Sequence, residues 1–314
     1  MLKNWFLVGL VGLSLSTASF AEVGSLGAFG ELPPEIVSEV FGQFPSVFDQ
    51  SKMVQAFPPL FLKATSSHQF KLGEDSHLFQ TLIKLEQQFM EIPDGFLPSK
   101  NQPHSGELIS VSSFQADRYA VTQALWQVFM KDLSDDVQLK CPNCPIVGKN
   151  LAQVGIFLKK LNEAAKKSGQ CWTYDLPTDS ELDYMMRGDV SGLRPASYTV
   201  VKDEQGNLIE VTNENRDEYV IHSGNSDTDG AGPKLQPVDS KKPNAFGLHI
   251  LGNVRRMSKT YTNQSCIVYG LVTRGGSFTS DVNYVRSHFR QTAKYDEDFN
   301  EVGFTLVRRC SQDA

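Results

Sequence analysis

The chain has 314 residues, 40% of them hydrophobic and 21% charged, and a formal net charge of −6. These proportions exclude a disordered chain, and the length suits one large domain or a domain with an accessory arm. An acidic balance with no basic stripe excludes a nucleic-acid surface.

The first 21 residues read as a signal peptide: Lys3 supplies the early positive charge, an apolar run covers 5–15, and Ser19-Phe20-Ala21 offers a small-residue cleavage site. An uncleaved anchor is the alternative, but its apolar run is shorter than the roughly 20 residues a spanning helix needs. No later segment is long and apolar enough to span. The expected mature protein is soluble and lies in the periplasm or outside the cell. Residues 22–66 read as an N-terminal arm with short helical patterns at 34–41 and 48–57, and residues 67–314 as the main domain.

Within that domain a strand is expected at 68–72, a helix at 77–90, a loop at 93–106 and an alternating stretch at 107–119. Residues 123–130 form an amphipathic helix with Thr122 as its N-cap. A second helix at 151–167 buries Val154, Phe157, Leu158 and Leu161. Thr178 and Glu181 have the spacing of a capping box and Gly188 stops the helix that follows. Residues 197–201 and 208–211 pair as a hairpin across an Asp203–Asn207 turn. Helices and strands do not alternate as in a doubly wound sheet.

The five cysteines are Cys141, Cys144, Cys171, Cys266 and Cys310. Cys141-Pro-Asn-Cys144 reads as a loop-closing disulfide, with a redox pair or half a zinc site as alternatives. An odd total leaves one thiol free or paired between chains.

Several short motifs occur in order: Val121-Thr122 with Leu125-Trp126; Leu176-Pro-Thr-x-x-Glu181-Leu-x-Tyr184-x-x-Arg187-Gly188; Asn244-Ala-Phe-Gly-Leu248 with Gly252-Asn-Val254; Arg274-Gly-Gly-Ser-Phe278; Arg286 and Arg290; and Gly303-Phe304 with Val307-Arg308. Together, over about residues 68–310, they resemble the formylglycine-generating enzyme family, also called sulfatase-modifying factor proteins. The resemblance implies an α+β domain, a C-type lectin-like variant with little regular secondary structure. Family enzymes oxidise a sulfatase cysteine to formylglycine with oxygen, through two cysteines that bind copper. Ser280 and Val285 stand at the matching positions, so copper and that activity are not expected.

The resemblance also implies two calcium sites. At one, Arg256 replaces the expected glutamate, so the site is expected to be empty, with the guanidinium taking the cation's place through a local carboxylate. At the other, Asp229 before Gly230 is a candidate calcium ligand, with a plain polar turn as the alternative. Arg255, Arg256, Arg274, Arg286, His288 and Arg290 are candidates for binding an anion, against internal ion pairs as the competing use of the arginines. The function expected is that of an exported binding or scaffold domain for an exported protein or a small anionic ligand. A divergent periplasmic enzyme acting in maturation and a structural cell-envelope component remain as alternatives.

Overall fold

The computed structural model of the chain describes residues 74–98, 108–131, 141–191, 198–264, 268–294 and 300–310. The signal peptide, the N-terminal arm, the strand expected at 68–72 and Cys266 lie outside the described residues. The chain divides into two units, 1–80 with 167–170 and 81–166 with 171–314. Of the first, only 74–80 and 167–170 are described; the account below concerns the second.

Four α-helices are present among the described residues: α1 (Glu74–Glu86), α2 (Gln123–Met130), α3 (Leu151–Lys167) and α4 (Asp179–Arg187). Local chemistry explains the last of these at both ends. The Thr178 hydroxyl accepts from the Glu181 amide at 3.1 Å while the Glu181 carboxylate accepts from the Thr178 amide at 2.7 Å. Gly188 closes the helix in the left-handed region at φ 69°. Each such cap stabilises a helix by about 1 kcal/mol. Thr122 caps α2 in the same way, accepting from the Leu125 amide at 3.1 Å.

The described residues also form twelve strands, in chain order β1 (Phe89–Ile92), β2 (Gly95–Pro98), β3 (Leu108–Val111), β4 (Phe114–Ala120), β5 (Trp172–Asp175), β6 (Val200–Lys202), β7 (Leu208–Glu210), β8 (Arg255–Gln264), β9 (Val268–Arg274), β10 (Arg290–Lys294), β11 (Val302–Gly303) and β12 (Thr305–Cys310). One four-stranded sheet has the order β1-β4-β12-β5 and a second the order β10-β9-β8-β11; β2 pairs with β3 and β6 with β7. All pairs are antiparallel except β11 with β8. The helix expected at 77–90 ends at Glu86 and gives way to β1. The loop expected at 93–106 contains β2, and the hairpin expected from 197–201 and 208–211 forms with its first strand shifted to Val200–Lys202.

The α+β class stands, but a C-type lectin-like variant with little regular secondary structure does not. Two four-stranded sheets and four helices, one of 17 residues, supply abundant backbone pairing. Aromatic packing joins the elements: Trp126 of α2 stacks on Phe157 of α3 at 5.3 Å, and Phe304 meets Phe157 edge-on at 5.5 Å. Such pairs add about 0.5–1.5 kcal/mol beyond area burial. The main core lies under α4, where Leu182, Tyr184, Met185 and Met186 are fully buried with Val285 and Val307. No helix among the described residues is long and apolar enough to cross a membrane.

Candidate functional site

The Gly252-Asn253 pair holds three loops together. Gly252 has φ 74°, and a Cβ there would lie 1.9 Å from the Ile221 carbonyl oxygen, so only glycine fits. Its amide donates to the Gly275 carbonyl at 2.8 Å. Asn253 is in the left-handed region at φ 62° and clamps Gln236 from both sides, accepting from its amide at 3.0 Å and donating to its carbonyl at 2.7 Å. The Asn253 carbonyl accepts from the Phe278 amide at 2.8 Å. This pins the glycine-rich segment after β9, including Ser277 and Ser280, against the 221–236 loop.

Ser280 sits in a hydroxyl cluster. Its Oγ accepts from the Ser277 amide at 3.0 Å and lies 2.9 Å from the Ser277 Oγ. The Ser277 hydroxyl donates in turn to Glu301 at 2.9 Å. Val285 is fully buried in the main core, and Gly276 packs so closely that a Cβ there would come within 2.6 Å of a Val285 methyl. A tethered hydroxyl and a buried isopropyl group offer copper no soft ligand, so these residues do not fit the metal.

The arginines separate into buried and exposed sets. Arg274 is 1% exposed and is ion-paired to Asp179 in the first turn of α4, with Asp183 3.5 Å away and the Ser287 carbonyl accepting at 3.3 Å. Arg290 reaches the other oxygen of Asp179 at 3.2 Å, and Arg187 binds Asp183 at 2.9 Å. Asp179, Asp183 and Arg187 recur at four-residue intervals on one face of α4. The sequence signal for this ionic face, not used above, is the four-residue spacing of the two aspartates and Arg187.

Arg256 is also buried, at 2% exposure. It donates to Thr305 Oγ1 at 3.0 Å, to the Val254 carbonyl, and to the His249 carbonyl at 3.2 Å. Burial pulls its pKa down to about 10, and the nearby Asp117 opposes the shift. A guanidinium placed on backbone carbonyls leaves no room there for a divalent cation. Buried Arg256 and Arg274 therefore belong to internal bonding and not to a ligand surface. Arg255 is turned toward Gln291 and Glu301.

Arg286 lies half-buried over the Tyr198 ring, 5.0 Å from its centroid, and donates to Asn283 at 3.1 Å. Burial and then the guanidinium groups of Arg187 and Arg286 hold the His288 pKa below the usual histidine range. Arg187, Arg274 and Arg290 thus pair with two carboxylates, Asp179 and Asp183, and His288 lies within electrostatic reach of Arg187, Arg286, Asp183 and Arg274.

Asp229 is ion-paired to Lys234 and accepts from the Ala231 amide at 3.3 Å, and the hydrogen bond from Lys234 holds its carboxyl below the usual carboxylate range. An ammonium therefore occupies the carboxylate proposed for calcium. Among the described residues, no group of three or more His, Cys, Asp or Glu side chains is placed to hold a metal ion. The Nδ1 of His222 accepts from the Gly224 amide at 3.1 Å, so its Nε2 carries the hydrogen and donates to Asp217 at 2.9 Å. The larger of the two best-formed cavities measures about 10 Å³, room for one water.

Two disulfides are present among the described residues. Cys141 pairs with Cys144, and Cys171 with Cys310. The second was not read from sequence. It joins the ends of β5 and β12, where Cys310 stands opposite Trp172.

Residues 78–310 match the family described as the sulfatase-modifying factor enzyme 1-like domain. No curated protein matches the sequence. Among solved structures the fold is similar to Treponema denticola variable protein 1 at TM-score 0.53 and 20% identity, covering 70% of this chain and 94% of that one. It is similar to PvdO from Pseudomonas aeruginosa at TM-score 0.50 and 20% identity, with coverages of 70% and 94%. It is also similar to CarF at TM-score 0.52 and 17% identity, with coverages of 71% and 98%. At these identities the likeness concerns the fold.

Proposed function

The chain belongs to the sulfatase-modifying factor family, and we propose that it serves as an exported, non-catalytic binding domain of that family. One observation carries this reading. The positions that motif order aligns with the copper-binding cysteines hold a hydrogen-bonded serine, Ser280, and a core valine, Val285. The fold is kept while the copper-binding thiols are absent from those two positions.

The ligand face proposed is the one carrying Arg286, His288 and Arg290. Arg290 is 40% exposed at its side chain and Arg286 half-buried. Arginine forks there suit a carboxylate or phosphate, either on a small anion or on an acidic stretch of an exported protein. Two disulfides support a location in an oxidising compartment, the periplasm or outside the cell.

The test has two arms. Purified mature protein is given copper, oxygen and a cysteine-containing sulfatase-type peptide; no formylglycine should form, and its formation would overturn the non-catalytic reading. In the second arm, inorganic phosphate is titrated at constant ionic strength and the melting temperature followed. Phosphate should stabilise the wild type more than an Arg286→Ala/Arg290→Ala variant. Equal response of the two would remove the anion face from the proposal.

A further inference from the structure

We propose that Cys141 and Cys144 form a thiol–disulfide exchange site that takes a dithiol of an exported protein as its substrate. The inference is independent of the anion face and rests on how the Cys141-Pro-Asn-Cys144 turn is held.

Hydrogen bonds hold the turn, apart from the disulfide. The Cys144 amide donates to the Cys141 carbonyl at 2.9 Å, and the carbonyls of Cys144 and Pro142 accept from the Gln123 and Ala124 amides at the start of α2, at 2.9 and 3.0 Å. Asn143 accepts from the Val238 amide at 2.9 Å, and its side chain donates to Asp239 at 3.0 Å. None of these contacts uses either sulfur atom. The bridge closes a separation of only 3 residues, where a cross-link restricts the unfolded chain least. Its structural contribution is therefore small, in contrast to the bridge that spans 139 residues.

The two sulfurs are not equivalent. Cys141 is half-buried, and Pro142 and Asn143 beside it are exposed, whereas Cys144 is 1% exposed. The Cys144 sulfur lies 3.8 Å from the Leu235 carbonyl oxygen. In the disulfide that sulfur has no hydrogen to donate; as a thiol it has an acceptor already in place.

These features define the exchange. A substrate thiolate attacks the Cys141 Sγ and forms a mixed disulfide; the Cys141–Cys144 bond breaks and its electron pair leaves on the Cys144 Sγ. That sulfur takes a proton and donates to Leu235. The substrate's second thiolate attacks its own sulfur in the mixed disulfide and releases the Cys141 thiolate. Two electrons pass from the substrate dithiol to the pair, and the substrate leaves as a disulfide.

The experiment incubates the folded mature chain with graded dithiothreitol, traps thiols with iodoacetamide and maps each cysteine by mass spectrometry. The Cys141–Cys144 bridge should open at dithiothreitol concentrations at least tenfold below those that open Cys171–Cys310, with circular dichroism unchanged. Cys141 should be alkylated at least tenfold faster than Cys144. Coincident opening of the two bridges, opening only on unfolding, or equal alkylation rates would overturn the proposal. As a second measurement, Cys144→Ser exposed to oxidised glutathione should hold a mixed disulfide on Cys141; a Cys141 that stays unmodified would also overturn it.

Discussion

Arg274 at the end of β9 and Asp179 in the first turn of α4 meet as a buried ion pair across 95 residues of sequence. Arg274 also faces Asp183, so its removal leaves two carboxylates near the core with less compensation. Breaking one side of a buried pair costs about 3–5 kcal/mol. Arg274→Met is expected to lose stability on that scale in urea denaturation. Arg290→Ala removes an exposed partner of the same Asp179 and should cost less than about 1 kcal/mol. Equal losses from the two variants would show that burial does not set the difference.

Asp117 predicts a pH dependence. It is 1% exposed, and burial pushes its pKa up to about 7, against the lowering effects of the Tyr119 amide and Arg308. An acid whose pKa is higher in the folded state than in the unfolded chain contributes its stability fully below the unfolded value near 3.8 and loses it as pH rises through about 7. Between pH 5 and pH 8 the wild type should lose on the order of 2–3 kcal/mol from this group. Asp117→Asn keeps an acceptor for the Tyr119 amide, which donates to Asp117 at 3.0 Å, and abolishes the titration. Denaturation at the two pH values should therefore show a smaller drop in the variant.

What sequence revealed follows from range. Thr122, Thr178 and Gly188 act within one helical turn of themselves, and their roles were legible. The hairpin at 200–210 was legible for the same reason. β4 and β12 were harder because they pair across the chain, with Ala116 opposite Val307, and no local pattern encodes that partner. β8 is rich in polar residues, yet Arg256 within it is buried. Arg256 and Arg274 carry no local sign of what they bind, because arginine is ordinarily exposed. The structure buries both on carbonyls or carboxylates supplied by distant segments. The cation set proposed for a ligand was therefore too broad, and the Cys171–Cys310 pairing was invisible without the β5–β12 register.

Arg256 leads to a prediction about metal dependence. Its guanidinium already satisfies the Val254 and His249 carbonyls and Thr305 Oγ1, so that region needs no added cation. Chelation with EDTA should leave the wild-type melting temperature unchanged. Arg256→Met fills similar volume but leaves those buried acceptors unmatched, each a loss of about 1–3 kcal/mol. A clear melting shift with EDTA in the wild type would mean that a metal site carries stability elsewhere in the chain.

The Cys171–Cys310 bridge should carry most of the stability that disulfides give this domain. It closes a separation of 139 residues and ties β5 to β12, the strand that also pairs with β4. Chain-entropy reasoning assigns a loop of that size roughly 4–5 kcal/mol, and about 2 kcal/mol to a turn as short as that between Cys141 and Cys144. Arg308, two residues along β12 from the bridge, adds to the anchoring, because its guanidinium lies 4.2 Å from the rings of both Phe89 and Trp172. A Cys171→Ser/Cys310→Ser variant should therefore retain the sheet but melt well below the wild type, while Cys141→Ser/Cys144→Ser melts closer to it. Comparing the two double variants by guanidinium denaturation checks the order. A larger loss from the Cys141 and Cys144 pair would mean that the short turn, and not the cross-sheet tie, secures the fold.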